Sequence, residues 1–187
     1  MPHSSETGRT RTYSWGDAKS AAAAARAMSG KDYLTAVMNG ALPAGPIMDT
    51  LGFRLVEVGD GRAVFVCDPG EFLYNAIGSV HGGLAATLID SAASCAVHTQ
   101  LPAGTGYTTI NLAVDYIKGI GDSAGELRCT GRVVRAGGRI GVADAELKGA
   151  DGTLYARGSA TCLILRPEKT VAARTITHHR GAEDAEK

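Results

Sequence analysis

The chain has 187 residues, with 19 Lys and Arg against 19 Asp and Glu, 44% hydrophobic and 20% charged residues. This is the profile of one soluble globular domain with a single core, and it excludes a disordered chain. Zero net charge supplies no long-range field with which to gather a polyanion, so the expected partners are small molecules or proteins, with no nucleic acid. The four cysteines, Cys67, Cys95, Cys129 and Cys162, form no C-x-x-C pair; no metal site is expected, and they read as buried thiols of a reducing cytoplasm. The polar stretch from Met1 to Trp15 lacks the apolar core of a secretory signal, and a cytoplasmic location without a membrane segment is expected.

Taken in chain order, residues 1–14 read as a disordered tail and 15–45 as an N-terminal helical extension. Within the extension, the alanine run from Ala21 to Ala25 is marginal as a helix. A better-marked helix starts at Ser29, an N-cap with Asp32 three residues on, places Leu34, Val37 and Met38 on one face, and stops at Gly40. Gly45-Pro46 breaks the chain before the main domain, 46–166. From Gly52 the period becomes that of strands: Phe53 to Val58 and Arg62 to Cys67 flank an Asp60-Gly61 turn. A loop through Tyr74 and Asn75 leads to His81-Gly82-Gly83 and a helix ending near Gln100. Four strands follow, at 107–116, 126–135, 139–147 and 154–165, the last three joined as a meander by Gly137-Gly138 and Asp151-Gly152. Residues 167–187, with His178-His179, read as a second disordered tail. The order implies an α+β fold, an antiparallel sheet against one central helix.

That helix carries the chemistry. Between Gly82 and Gln100 its only formal charge is Asp90, so it must be covered on nearly all sides, by the sheet and by a second subunit. A carboxylate there opposes helix propensity and burial. Two explanations stand: a structural carboxylate satisfied by Thr87 and Ser94, or a general base or nucleophile in a dry pocket. His81-Gly82-Gly83 favours the second, because two glycines at a helix start leave backbone N–H groups free to polarise a carbonyl. In the next strand the even positions from Thr108 to Tyr116 form the more apolar face, which directs the Thr108 hydroxyl inward toward a catalytic carboxylate. Asn75 either shapes its loop or holds a water or carbonyl near the helix start. His81 reads as a loop-orienting residue and His98 as a satisfied helix-end residue.

Asn75, His81-Gly82-Gly83, Asp90 and Thr108, on a long apolar helix between a hairpin and a run of four strands, resemble the hotdog-fold acyl-CoA thioesterases of the phenylacetic-acid-degradation type. The resemblance implies a six-stranded antiparallel sheet wrapped around one long central helix, with homodimers or dimers of dimers and sites at the subunit interface. It implies hydrolysis of a small or medium acyl- or aryl-CoA, without cofactor, by Asp90 as general base or nucleophile. In that scheme the Gly82 N–H polarises the carbonyl, Asn75 positions the attacking water or nucleophile, and Thr108 supports Asp90. It further places Gly83 and Leu84 against substrate, the acyl group near Leu73, Tyr74, Leu84 and Leu88, and coenzyme A phosphates near Arg132, Arg135, Gly137 and Arg139. The alternatives are a hotdog enoyl- or hydroxyacyl-thioester hydratase and a non-catalytic acyl-CoA sensor. The hydratase needs an Asp/His pair near the helix start, and the sensor normally carries a DNA-binding module that the first 50 residues do not supply.

Overall fold

A computed structural model describes residues 8–166; the expected tail 167–187, with His178-His179, lies outside the described residues. Three helices come first, α1 (Ala18–Ala27), α2 (Gly30–Met38) and α3 (Pro46–Leu51). The hairpin β1 (Phe53–Gly59) and β2 (Arg62–Cys67) leads to the long helix α4 (Gly82–His98), and then come β3 (Gly106–Tyr116), β4 (Leu127–Ala136), β5 (Ile140–Lys148) and β6 (Leu154–Leu165). The six strands form one antiparallel sheet in the order β1-β2-β4-β5-β6-β3. The meander β4-β5-β6 thus follows the two glycine turns, and β1 and β3 are the sheet edges. This is the hotdog fold.

Helix α2 starts where the sequence indicates. The Ser29 hydroxyl accepts from the Asp32 N–H at 3.2 Å, and Gly40, just past the end, has φ +74°. Helix α3 is an addition to the sequence reading, which has only a chain break there. Pro46 occupies its first turn, where a missing N–H costs nothing, and six residues are too few to show a period. Residues 8–14, expected within a disordered tail, contain no helix or strand. They lie over α3 all the same: the Arg11 guanidinium donates to the carbonyls of Thr50 and, at 3.2 Å, Asp49, and stacks 3.8 Å over the Phe72 ring.

The sheet curls around α4, ten of whose 17 residues are buried. Small residues permit the close approach. A Cβ on Gly131 of β4 would stand 2.0 Å from the Ala92 carbonyl oxygen, and one on Gly141 of β5 would stand 2.5 Å from a Val97 methyl. Leu88, Ile89, Leu127, Leu147 and Val97 fill the space between helix and sheet at 0% exposure. One strip of α4 remains uncovered by this chain: Gly83, Thr87, Asp90, Ser91 and Cys95 are half-buried or exposed. Among the described residues no helix is long and apolar enough to cross a membrane.

Candidate active site

Asp90 lies in that uncovered strip, half-buried, two turns into α4. Its Oδ1 accepts a hydrogen bond from Thr109 Oγ1 at 2.8 Å. The hydroxyl partner is therefore Thr109 and not Thr108, which is exposed. The reason is a β-bulge. Strand β3 pairs Thr109 with Cys162 and Asn111 with Thr161, which leaves Ile110 as an extra residue. A one-residue insertion reverses the parity of inward positions. Before the bulge Tyr107 and Thr109 face α4; after it Val114 packs on the core and Tyr116 lies over Gly82. Uniform alternation, assumed along the whole strand, assigns the wrong threonine. The two hydroxyls expected to satisfy Asp90 structurally do not do so: Thr87 Oγ1 donates to the Gly83 carbonyl at 2.9 Å, and Ser94 is buried beside Tyr107.

At the start of α4 the two glycines differ. His81 is the N-cap, and its Nδ1 accepts from the Gly83 N–H at 2.8 Å. The Gly82 N–H has no acceptor among the described residues and points outward at the positive end of the helix. Gly82 is flanked by Tyr116, whose hydroxyl donates to the Gly82 carbonyl at 3.2 Å. Asn75 uses its side chain locally: Nδ2 donates to Ser79 Oγ at 3.0 Å, and Oδ1 accepts from the N–H groups of Ile77 and Ser79. These bonds make the 75–79 turn, and the His81 N–H to Leu73 carbonyl bond ties that loop to the helix start.

Asp90 opens onto a cavity of about 260 Å³. Its polar end is Asp90, Ser91, Ser94 and Cys95; its apolar walls include Leu34 and Val37 of α2, Met48 of α3, and Phe53 and Phe65 of the first hairpin. Leu73, Leu84 and Leu88 are buried in the core, and none of them, nor Tyr74, lines this cavity. Arg132, expected near coenzyme A phosphates, is exposed. It follows Gly131, which faces α4, so it points to the opposite side of the sheet, into a surface groove beside Arg128 and Asp144. Arg135 and Arg139 are exposed near the β4-β5 turn, where the Gly137 N–H donates to the Ile140 carbonyl at 2.8 Å. None of these four residues lines the Asp90 cavity of their own chain.

The thiols near Asp90 stay protonated at neutral pH. Burial pushes Cys95 up to about 12, the nearby Asp90 carboxylate adding and the Tyr107 hydroxyl partly offsetting. Burial likewise raises Cys162, with a hydrogen bond to Thr109 opposing it. His98, expected to be a satisfied helix-end residue, is only 9% exposed and has no side-chain hydrogen-bond partner among the described residues. It sits between the rings of Tyr33, at 5.8 Å, and Tyr107, at 4.9 Å. Burial lowers its pKa to about 4, so the folded protein holds a neutral imidazole that the unfolded chain protonates below about pH 6.5. Stability from this group is present above that pH and is lost as the pH falls toward 4. Between pH 7 and pH 5 the loss amounts to about 2 kcal/mol. Thermal melts at the two pH values should show a drop for the wild type that is mostly absent in His98→Phe; equal drops in both proteins would contradict this.

Comparison with known proteins agrees with this architecture. Residues 77–156 match the Thioesterase superfamily. A candidate esterase of Halobacterium salinarum is 32% identical over 133 residues, 65% of this chain and 86% of the relative. The chain belongs to the thioesterase superfamily. Among solved structures, a candidate thioesterase related to phenylacetic acid degradation from Ralstonia eutropha is 27% identical with a TM-score of 0.63. The match covers 70% of this chain and 98% of that one. A mutant of the phenylacetic acid degradation protein PaaI from Thermus thermophilus is 25% identical with a TM-score of 0.57, over 64% of this chain and 98% of that one. The superfamily member described here is thus a thioesterase by family, and α1, α2 and α3 lie outside the residues matched to the superfamily.

Proposed function

We propose that this thioesterase hydrolyses acyl-CoA thioesters in a site made by two copies of the chain, with Asp90 of one copy and the Gly82 N–H of the other acting on one carbonyl. The observation that carries the reading is a half-buried carboxylate, held by one hydroxyl at 2.8 Å, at the mouth of an apolar cavity. Asp90 activates a water for attack on the thioester carbon, taking its proton, or attacks the carbon itself. In either route the carbonyl oxygen gains negative charge, which a fixed N–H donor stabilises, and the C–S bond breaks to release the thiolate, which is then protonated; in the second route water next hydrolyses the acyl-Asp90 anhydride, releasing the acid and restoring the carboxylate. A thioester is already activated, so these groups suffice without a cofactor.

The spacing of the two groups along one helix favours their supply by different chains. Gly82 and Asp90 are eight residues apart on a helix that rises about 1.5 Å per residue, so their backbones stand roughly 12 Å apart. A base and an oxyanion donor must each lie within about 3 Å of the reacting atoms. Two features support a partner that brings its own Gly82 to this Asp90. The uncovered strip of α4 holds no Lys, Arg or Glu and lies next to β3. Strand β3 is an 11-residue sheet edge that exposes Ile110 at 55%, Leu112 at 37% and Tyr116 at 60%, a long apolar edge suited to pairing with a second copy. The test is thiol release from phenylacetyl-, hydroxybenzoyl-, butyryl- and hexanoyl-CoA. Hydrolysis is expected, and saturable binding without release would instead favour a sensor.

A further inference from the structure

We propose that the N-terminal helices α2 and α3 form the end wall of the acyl pocket, so that Val37 and Met48 set the length of acyl group the enzyme accepts. The inference rests on the reading of Asp90 as the hydrolytic carboxylate. With the thioester carbon at Asp90, the cavity of about 260 Å³ beside it offers the acyl group an apolar space. Coenzyme A is polar and charged and does not suit a space walled by Leu34, Val37, Met48, Phe53 and Phe65. The cavity's volume of about 260 Å³ suits a short or medium chain or a single ring.

The two helices contribute more than a loose cover, because both are anchored. Helix α2 begins at Gly30, where a Cβ would fall 1.9 Å from the His98 carbonyl oxygen, and the Gly30 N–H donates to the Leu101 carbonyl at 2.9 Å. This fixes α2 against the C-terminal end of α4. Helix α3 is held from outside by Arg11, which donates to the Thr50 and Asp49 carbonyls. Leu34 is 5% exposed and packs into the core, whereas Val37, three residues on, and Met48 keep surface toward the cavity. His98 also lines this cavity, its ring lying between those of Tyr33 and Tyr107. Both helices lie outside residues 77–156, the part matched to the superfamily.

The experiment measures kcat/KM for butyryl-, hexanoyl-, octanoyl- and decanoyl-CoA with the full chain, for wild type, Val37→Phe and Met48→Ala. Added volume at Val37 should lower the ratio of the longest accepted acyl group to butyryl by about 10-fold or more, since one methylene misfitted in an apolar pocket costs at least that much. Met48→Ala should move the ratio the other way. A ratio does not depend on how much of a variant is folded, and Met48→Ala decides alone if Val37→Phe does not fold. Ratios within about twofold of wild type in the variants would overturn the assignment of the wall while leaving the hydrolase reading intact. No thiol release from any substrate by the wild type would overturn both.

Discussion

Replacing Asp90 by Asn should lower kcat for acyl-CoA hydrolysis by about 10³-fold, within the 10²–10⁴ range for loss of a general base, with the melting temperature little changed. The substitution keeps shape and an oxygen that accepts from Thr109 Oγ1, now 2.8 Å from the carboxylate, but removes the charge to which the proposed mechanism assigns proton transfer from water or attack on carbon. Asp90 is half-buried and makes its one side-chain hydrogen bond to that threonine, so the fold does not depend on its charge. Free-thiol release and a thermal melt on the same preparation check both halves. Turnover within a fewfold of wild type would show that the carboxylate is structural, as the competing explanation has it.

The second large effect is expected at Gly82, through its backbone. Gly82→Pro deletes one N–H and should cost about 10²–10³ in kcat, the usual loss for one oxyanion donor. Proline is well suited to the first position of a helix. The preceding residue must be extended, and His81, at φ −64° and ψ 134°, already is. Gly82→Ala is the control, because it adds the same Cβ, 3.1 Å from Tyr116 Cε1, and keeps the N–H. If the alanine and proline variants lose equal activity, the damage comes from crowding Tyr116, and the N–H has no catalytic role.

The fold was legible in the sequence because its signals are local. Alternation, paired turn residues and a helix almost free of charge mark six strands and one central helix, all of which the structure contains. The placement of the candidate residues was legible where it depends on position along one helix: the charge-free run singles out Asp90, and the glycine pair marks the N-terminus. It failed where a single residue changes parity. The bulge at Ile110 is set by pairing with Cys162 and Thr161 of β6, about 50 residues away, so Thr108 in place of Thr109 is an error that strand periodicity cannot correct. The cavity wall was missed for a similar reason. Val37 and Met48 carry ordinary amphipathic signals, and their meeting with Asp90 arises from how α2 and α3 cross the first hairpin. One signal was available, since Pro46 followed by Asp49 fits a helix start.

The proposed sharing of the site between two chains makes a demand that the single variants do not. In a mixed dimer of Asp90→Asn and Gly82→Pro chains, one site combines both substitutions and the other combines neither. The direct measurement is thiol release after the two variants are unfolded together and refolded, compared with each refolded alone. Random pairing yields half mixed dimers, each with one of two sites intact, so the account predicts recovery of about a quarter of wild-type activity. A mixture no more active than the sum of the separate variants would contradict the claim that Asp90 and Gly82 of different chains act on one thioester.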